Sequence, residues 1–213
     1  MERSPDLVAM LEASRRWSDS AGADGATAYF AYEDHHGIDL SDSMLVEATL
    51  QDGDLSDAIL DRADLYRALA NGVRLRRARL RGAKFVRAEL EQADFSEADA
   101  TDIALRRAQL TRANFVGAKM VGADLFHATC LGTVFRGADL TSANLGSALL
   151  AGADLTDVNL SGAILDGIGI SDDTIFAGAN LEGVILEHLF DGERRIDGEM
   201  AHVLLRARAS AVS

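Results

Sequence analysis

The hydrophobic positions of this chain recur every five residues. Taking every fifth residue from Leu40 to Ile170 gives 27 positions, of which 18 are Leu and four are Phe (Phe85, Phe95, Phe115, Phe135). Ala70, Ala100, Met120, Cys130 and Ile170 complete this column, and none of its members is charged. The column two residues earlier, Ile38 to Ile168, holds Ala at 19 of its 27 positions and is uncharged as well. The other three columns collect nearly all the Asp, Glu, Arg, Asn and Ser, and Gly recurs two residues after the Leu from Gly72 to Gly167. Those three columns face water.

Neither regular element accommodates this pattern. Positions spaced by five drift about 140° per repeat around an α-helix and leave no apolar face. On an extended segment the Ala and Leu columns share one side, but the next Ala comes three residues later, so the chain must turn once per repeat. Each pentapeptide is therefore one short side and one corner. Where the Leu column shrinks, the next inward residue grows: Ala70 precedes Val73, Ala100 precedes Ile103, and Cys130 precedes Thr133, as a close-packed interior requires.

The repeats read Ala63-Asp64-Leu65, Ala123-Asp124-Leu125, Ala138-Asp139-Leu140 and Ala153-Asp154-Leu155, with Ala113-Asn114-Phe115 and Ala143-Asn144-Leu145 as variants. Over roughly residues 38 to 186 the chain resembles the pentapeptide-repeat family. That resemblance implies an all-β solenoid, a right-handed quadrilateral β-helix with four pentapeptides per coil, in which residues 20 apart stack. The 27 repeats then make about seven coils, roughly 33 Å at about 4.8 Å per coil.

The register defines the ends. It continues to Phe30 with Ala28 but fails at His35 with Glu33, and beyond Ile170 it restarts one residue late at Phe176 and Leu181. This predicts an irregular coil at each end and a bulge near Ser171 to Asp173. Residues 4 to 17 read as a helix, with Ser4 as N-cap, Pro5 in the first turn and an apolar stripe of Leu7, Met10 and Leu11. Residues 193 to 208 read as a second helix with the stripe Ile196, Met200, Val203 and Leu204, weakened by Gly198. A solenoid needs its terminal edges covered, so both helices are expected as caps. The second either lies across the last coil or makes a dimer contact with its symmetry mate through Ile196, Met200, Val203 and Leu204. The expected organisation is 1–27 as N-terminal capping helix and loop, 28–190 as β-helix, and 191–213 as C-terminal helix.

Composition narrows the chemistry. Cys130 is the single cysteine, which excludes an intrachain disulfide and cysteine-paired zinc, and its inward column marks it as a core residue. The five histidines (His35, His36, His127, His188, His202) are scattered, and no phosphate-binding glycine loop, nucleophile elbow or HExxH stretch occurs. The expectation is a non-enzyme without cofactor or metal. No basic leader or apolar run of about 18 residues stands in the sequence, so a soluble, cytoplasmic protein is expected.

Charge then bears on function. The chain carries 34 acidic and 21 basic residues, a net −13, which disfavours direct nucleic-acid binding and favours basic partners. The resemblance implies a sharper possibility, since some family members imitate B-form DNA, bind type II topoisomerases such as DNA gyrase, and confer resistance to antibiotics that act on them. Duplex DNA carries one charge per roughly 1.7 Å, so a rod of about 33 Å would need on the order of 19. Residues 38–170 hold 19 acids and 14 bases, a net −5, so mimicry along the whole rod is not supported.

The charge is banded instead. Arg62, Arg67, Arg74, Arg76, Arg77, Arg79, Arg81, Lys84 and Arg87 form a basic band, whereas residues 120–192 hold ten acids and one base, Arg136. The reading is a partial DNA mimic whose partner-binding residues are Asp124, Asp139, Asp154, Asp157, Asp166, Asp172 and Asp173. The alternative is a protein–protein interaction scaffold with a partner unrelated to topoisomerases.

Overall fold

The structure, a computed structural model, describes residues 4–210. Residues 1–3 and 211–213, the outer ends of the two expected terminal segments, lie outside the described residues.

Every repeat closes on itself in the same way. The carbonyl of the Leu-column residue accepts the N–H of the Ala-column residue three positions on, as in Ala48 to Leu45 and Ala63 to Leu60, both 3.0 Å. The third residue of each turn, from Asp42 to Gly167, has φ between +53° and +71°. The second does not, which is the signature of a type II β-turn. That is why glycine recurs two residues after the Leu.

Between turns, the residue preceding each Leu forms a parallel bridge to the residue 20 positions later, as in Asp39 to Ile59 to Arg79 to Asp99. Three further columns do the same from Met44, Thr49 and Asp54, so each 20-residue coil carries four bridges and four turns. This is a β-helix solenoid. Its axis is filled by the Leu and Ala columns, which are buried from Leu40 to Ile170, save half-buried Ile38, and Ser43 and Gly53 stand among the buried alanines. Phe95, Phe115 and Phe135 stack with ring centroids 4.7 and 5.3 Å apart and planes within 11°, the direct consequence of a Phe recurring every coil. Thr133, polar in the Ala column, donates its hydroxyl to the Leu110 carbonyl at 2.7 Å and so avoids a buried unpaired group.

At the N-terminal end the backbone continues where the apolar pattern fails. His35 occupies a Leu slot, its N–H bonded to the Asp54 carbonyl at 2.8 Å and its ring edge-on to Phe30 at 5.1 Å. Tyr29 and Asp34 bridge to Thr49 and Asp54, so this coil is built by ladder bonds rather than by an apolar repeat. Helix α1 (Pro5–Asp19) is capped by Ser4, whose hydroxyl accepts the Leu7 N–H at 3.2 Å. Leu7, Met10 and Leu11 lie against the core, and buried Ser14 donates to the Met44 carbonyl at 2.7 Å, where a further coil would have placed an N–H.

At the other end the bridges lengthen to 21 residues, Asp154 to Ile175, Asn159 to Asn180 and Ile164 to Ile185, which places the extra residue in the segment from Ser171 to Thr174. Strand β1 (Ile168–Ile170) pairs in parallel with β2 (His188–Asp191), and β2 pairs antiparallel with β3 (Arg194–Asp197). Helix α2 (Gly198–Ser210) follows. The expected helix over 193–208 is thereby corrected. A two-residue turn led by Gly192 (φ +60°), the II′ geometry of a tight hairpin, sends Arg194–Asp197 back along β2, and Ile196 lies in that strand. Gly198 (φ +56°) opens the helix instead of interrupting it. The face turned to the coil is Ala201 and Leu205, and the Ala209 carbonyl accepts the Gly178 N–H at 2.9 Å, which ties α2 to the last coil.

Candidate partner-binding surface

Stacking residues 20 apart brings the columns of the outer surface into ladders. Arg62 forks onto Asp42 through two bonds of 2.7 and 2.6 Å, and Arg77 onto Asp57 through bonds of 2.9 and 2.6 Å, each exactly one coil away in sequence. Arg74 and Lys84 pair with Asp54 and Asp64 at the same offset. A second, diagonal offset of 18 joins Arg79 to Asp61 at 2.7 Å, Arg81 to Asp99 at 2.8 Å and Arg106 to Asp124 at 2.7 Å. The basic band is thus largely cross-braced to the acids beside it.

The seven candidate aspartates divide. Asp124 is engaged by Arg106, and Asp154 by Arg136 and by the Thr156 backbone and hydroxyl. Asp139 accepts the Thr141 N–H at 3.1 Å and the Thr141 hydroxyl. Asp166 accepts the N–H groups of Glu187 and His188 at 3.1 and 3.0 Å and lies 2.9 Å from His188 Nδ1. These four are half-buried struts of the coil. Asp157, Asp172 and Asp173 are exposed; Asp173 accepts the Ser171 hydroxyl, and Asp172 is 3.7 Å from Arg208. The bridge columns set Asp124, Asp139 and Asp154 on three different sides of the rod, so the seven do not form one patch.

The electrostatics follow this division. Burial raises the Asp154 and Asp166 carboxyls, but the bonds from Thr156 and Arg136 to the first, and from His188 and Glu187 to the second, outweigh it and leave both lowered. Asp173 is lowered by the Ser171 hydroxyl. Burial pushes the Cys130 thiol up to about 12, which removes its thiolate at neutral pH. Among the described residues, no group of three or more His, Cys, Asp or Glu side chains is placed to hold a metal ion.

The candidate dimer residues do come together. Ile196, Met200, Val203 and Leu204 line a cleft of about 450 Å³ between β3 and α2, rimmed by Asp191, Arg194, Arg195 and Asp197. Met200 is 65% and Val203 51% exposed, whereas Ile196 and Leu204 are half-buried against the core, and β3 is the edge strand of its sheet. What sequence reasoning missed here is the strand edge beside the apolar face.

A family profile described as pentapeptide repeats matches residues 58–96, 88–125, 119–157 and 133–168, with eight copies. Similar solved structures include HetL, a pentapeptide repeat protein involved in heterocyst differentiation regulation from the cyanobacterium Nostoc sp. strain PCC 7120. It is 19% identical, covering 91% of this chain and 98% of that one, with a TM-score of 0.35. A trypsin-treated form of QnrB1, a plasmid-mediated fluoroquinolone resistance protein, is 21% identical, covering 88% and 98%, with a TM-score of 0.38. A pentapeptide repeat protein from the thylakoid lumen of Arabidopsis thaliana is 32% identical over 54% of this chain and 69% of that one, with a TM-score of 0.28. No curated protein gives a significant match.

Proposed function

Because the chain belongs to the pentapeptide-repeat family, we propose that it acts without catalysis, as a right-handed quadrilateral β-helix that presents its surface to a type II topoisomerase such as DNA gyrase. In this reading it is a partial DNA mimic that modulates the enzyme or protects it from inhibitors. The observation that carries the reading is the imbalance of residues 120–192, ten acids against the single base Arg136, a net −9. A surface of that sign attracts the basic groove in which such an enzyme holds DNA. The contact falls to Asp157, Asp172 and Asp173, which are exposed, with Asp124, Asp139, Asp154 and Asp166 setting the field from within the coil.

Pairing of two copies through Ile196, Met200, Val203 and Leu204 belongs to the same proposal. A closed two-fold contact would cover exposed Met200 and Val203 and the open edge of β3, and would bring two acidic halves together at about −18, twice −9.

The test is a gyrase supercoiling assay and a quinolone-induced cleavage assay with purified protein. Reversing Asp157, Asp172 and Asp173 to Lys removes two negative charges at each site and takes the segment from −9 to −3. Inhibition or protection by the parent protein that weakens in this variant is the expected result. No effect of the parent protein, at excess, on supercoiling, cleavage complexes or drug action would defeat the reading.

A further inference from the structure

Residues 67, 87 and 107 occupy one corner of three consecutive coils, and all three are Arg in the left-handed conformation, with φ of +57°, +60° and +56°. Arg67 lies 3.4 Å from Glu47. Arg87 and Arg107 are exposed and make no ion pair among the described residues, and Glu89 accepts instead from Asn71 at 3.4 Å. Arg112, at the next corner of the coil, has φ +59° and is likewise without an ion pair among the described residues. This departs from the rest of the band, where Arg62, Arg74, Arg77, Arg79 and Arg81 all reach an aspartate.

The left-handed corner is the position glycine takes without strain, and further along the same column the chain uses His127, Ser147 and Gly167. Arg87 and Arg107 stack like charges about 4.8 Å apart on left-handed backbone with no counter-ion among the described residues, which contributes nothing to the fold. We propose that this corner, Arg67, Arg87 and Arg107 with Arg112 beside it, docks a short acidic segment of a partner protein. It is independent of the topoisomerase reading, which uses the other half of the rod.

The chemistry favours a carboxylate peptide over a nucleic acid. The three arginines span only about 10 Å, two steps of coil spacing. Beyond them the rod becomes acidic, net −9 over residues 120–192, so a long polyanion would run into repulsion that a short acidic segment avoids. The one aromatic ring in this column is His127, one coil beyond Arg107, and it packs edgewise against Phe126 at 4.2 Å. Tyr66 and Phe126 are half-buried, and the Phe126 ring is covered by Arg106 at 5.6 Å. An extended peptide presents alternate side chains about 6.8 Å apart, and flexible guanidinium forks can meet such carboxylates bidentately.

The probe is a fluorescein-labelled peptide of about twelve residues alternating Glu and Ser, with a Gln-for-Glu analogue and an oligothymidylate of similar length as competitors, read by fluorescence anisotropy. The expected result is salt-sensitive binding of the Glu peptide, competed by neither the Gln analogue nor the oligonucleotide. The double variant Arg87→Gly, Arg107→Gly should lose affinity about tenfold, as two charge-assisted contacts are removed. Its thermal midpoint should not fall, because glycine relieves the left-handed strain, and the double Lys variant should recover part of the binding. Absence of binding to the parent protein, equal binding by the double-Gly variant, or tighter binding of the oligonucleotide would each overturn the proposal.

Discussion

At the scale of single residues, the interior of this rod is decided by one methyl group. Alanine is the rule in the second inward column, and Gly53 is an exception with a cause. A Cβ placed there would stand 2.4 Å from the Phe30 carbonyl oxygen and 3.1 Å from that of Leu50. Both obstacles are backbone, and the first belongs to the coil that carries Phe30 and His35, so that coil can descend onto its neighbour only over a glycine. Gly53→Ala should therefore destabilise the protein by about 1–3 kcal/mol, the usual range for overpacking a closed site. Urea denaturation would register this as a lower midpoint at unchanged slope, and a variant as stable as the parent would contradict the packing described here. The corner residues show the opposite economy. Left-handed backbone costs a non-glycine residue roughly 1–2 kcal/mol, yet Arg62 and Arg77 accept it and recover part of it through forked bonds to Asp42 and Asp57.

At the scale of elements, the extra residue after Ile170 is absorbed by side chains that stand in for backbone. In the regular coils the N–H of each corner residue meets a backbone carbonyl, as Gly132 meets Ala151 at 2.9 Å. Where the slip occurs, Gly152 N–H bonds the Ser171 hydroxyl at 3.0 Å instead. Thr174 completes the repair, accepting the Ser171 N–H at 2.9 Å and donating to the Leu150 carbonyl at 3.0 Å. Ser171→Ala removes the hydroxyl from the Gly152 N–H and leaves it only the neighbouring Asp173 carboxylate, at a cost of about 1 kcal/mol. Hydrogen exchange should then accelerate at Gly152 ahead of Gly132, and equal protection at the two would refute this role for Ser171.

Much of this was legible in the sequence for a physical reason. The buried columns cannot change without loss of the core, so the period, the turn in each repeat and the frame slip all stand in the pattern of Leu and Ala. The strand at Arg194–Asp197 was not legible, because four residues with one apolar member show no alternation, and Ile196 falls in helical register with Met200 by coincidence. Nor were the roles of the aspartates. Asp124, Asp139 and Asp154 occupy the same place in the repeat, yet arginines reach the first and the third, 18 residues away, only once the coil has set them side by side.

For the whole molecule, these carboxylates make stability depend on acid. Asp54 is held at about 2 against an ordinary 3.8, foremost by the Ser56 hydroxyl and also by Arg74. At Asp99 burial acts upward, but the bonds from Arg81 and Thr101 prevail, and Asp154 and Asp166 are lowered in the same manner. A carboxyl whose folded pKa lies below its unfolded value binds fewer protons in the folded state, so its contribution is complete above the unfolded value and is lost as pH falls through the folded one. The thermal midpoint should thus hold level from neutral pH down to about 5, then drop steeply between about 4 and 2. These struts are spread along the rod, in coils that each contact only their neighbours, so their protonation loosens the ladder at several places rather than at one point. Replacing Asp54 by Asn removes its titration while keeping an acceptor for the Ser56 N–H, now 2.9 Å from Asp54 Oδ1. The variant should start from a lower midpoint at pH 7 and lose less of it on acidification, and a melting profile parallel to the parent's across that range would show that Asp54 is not among the groups that hold the rod together.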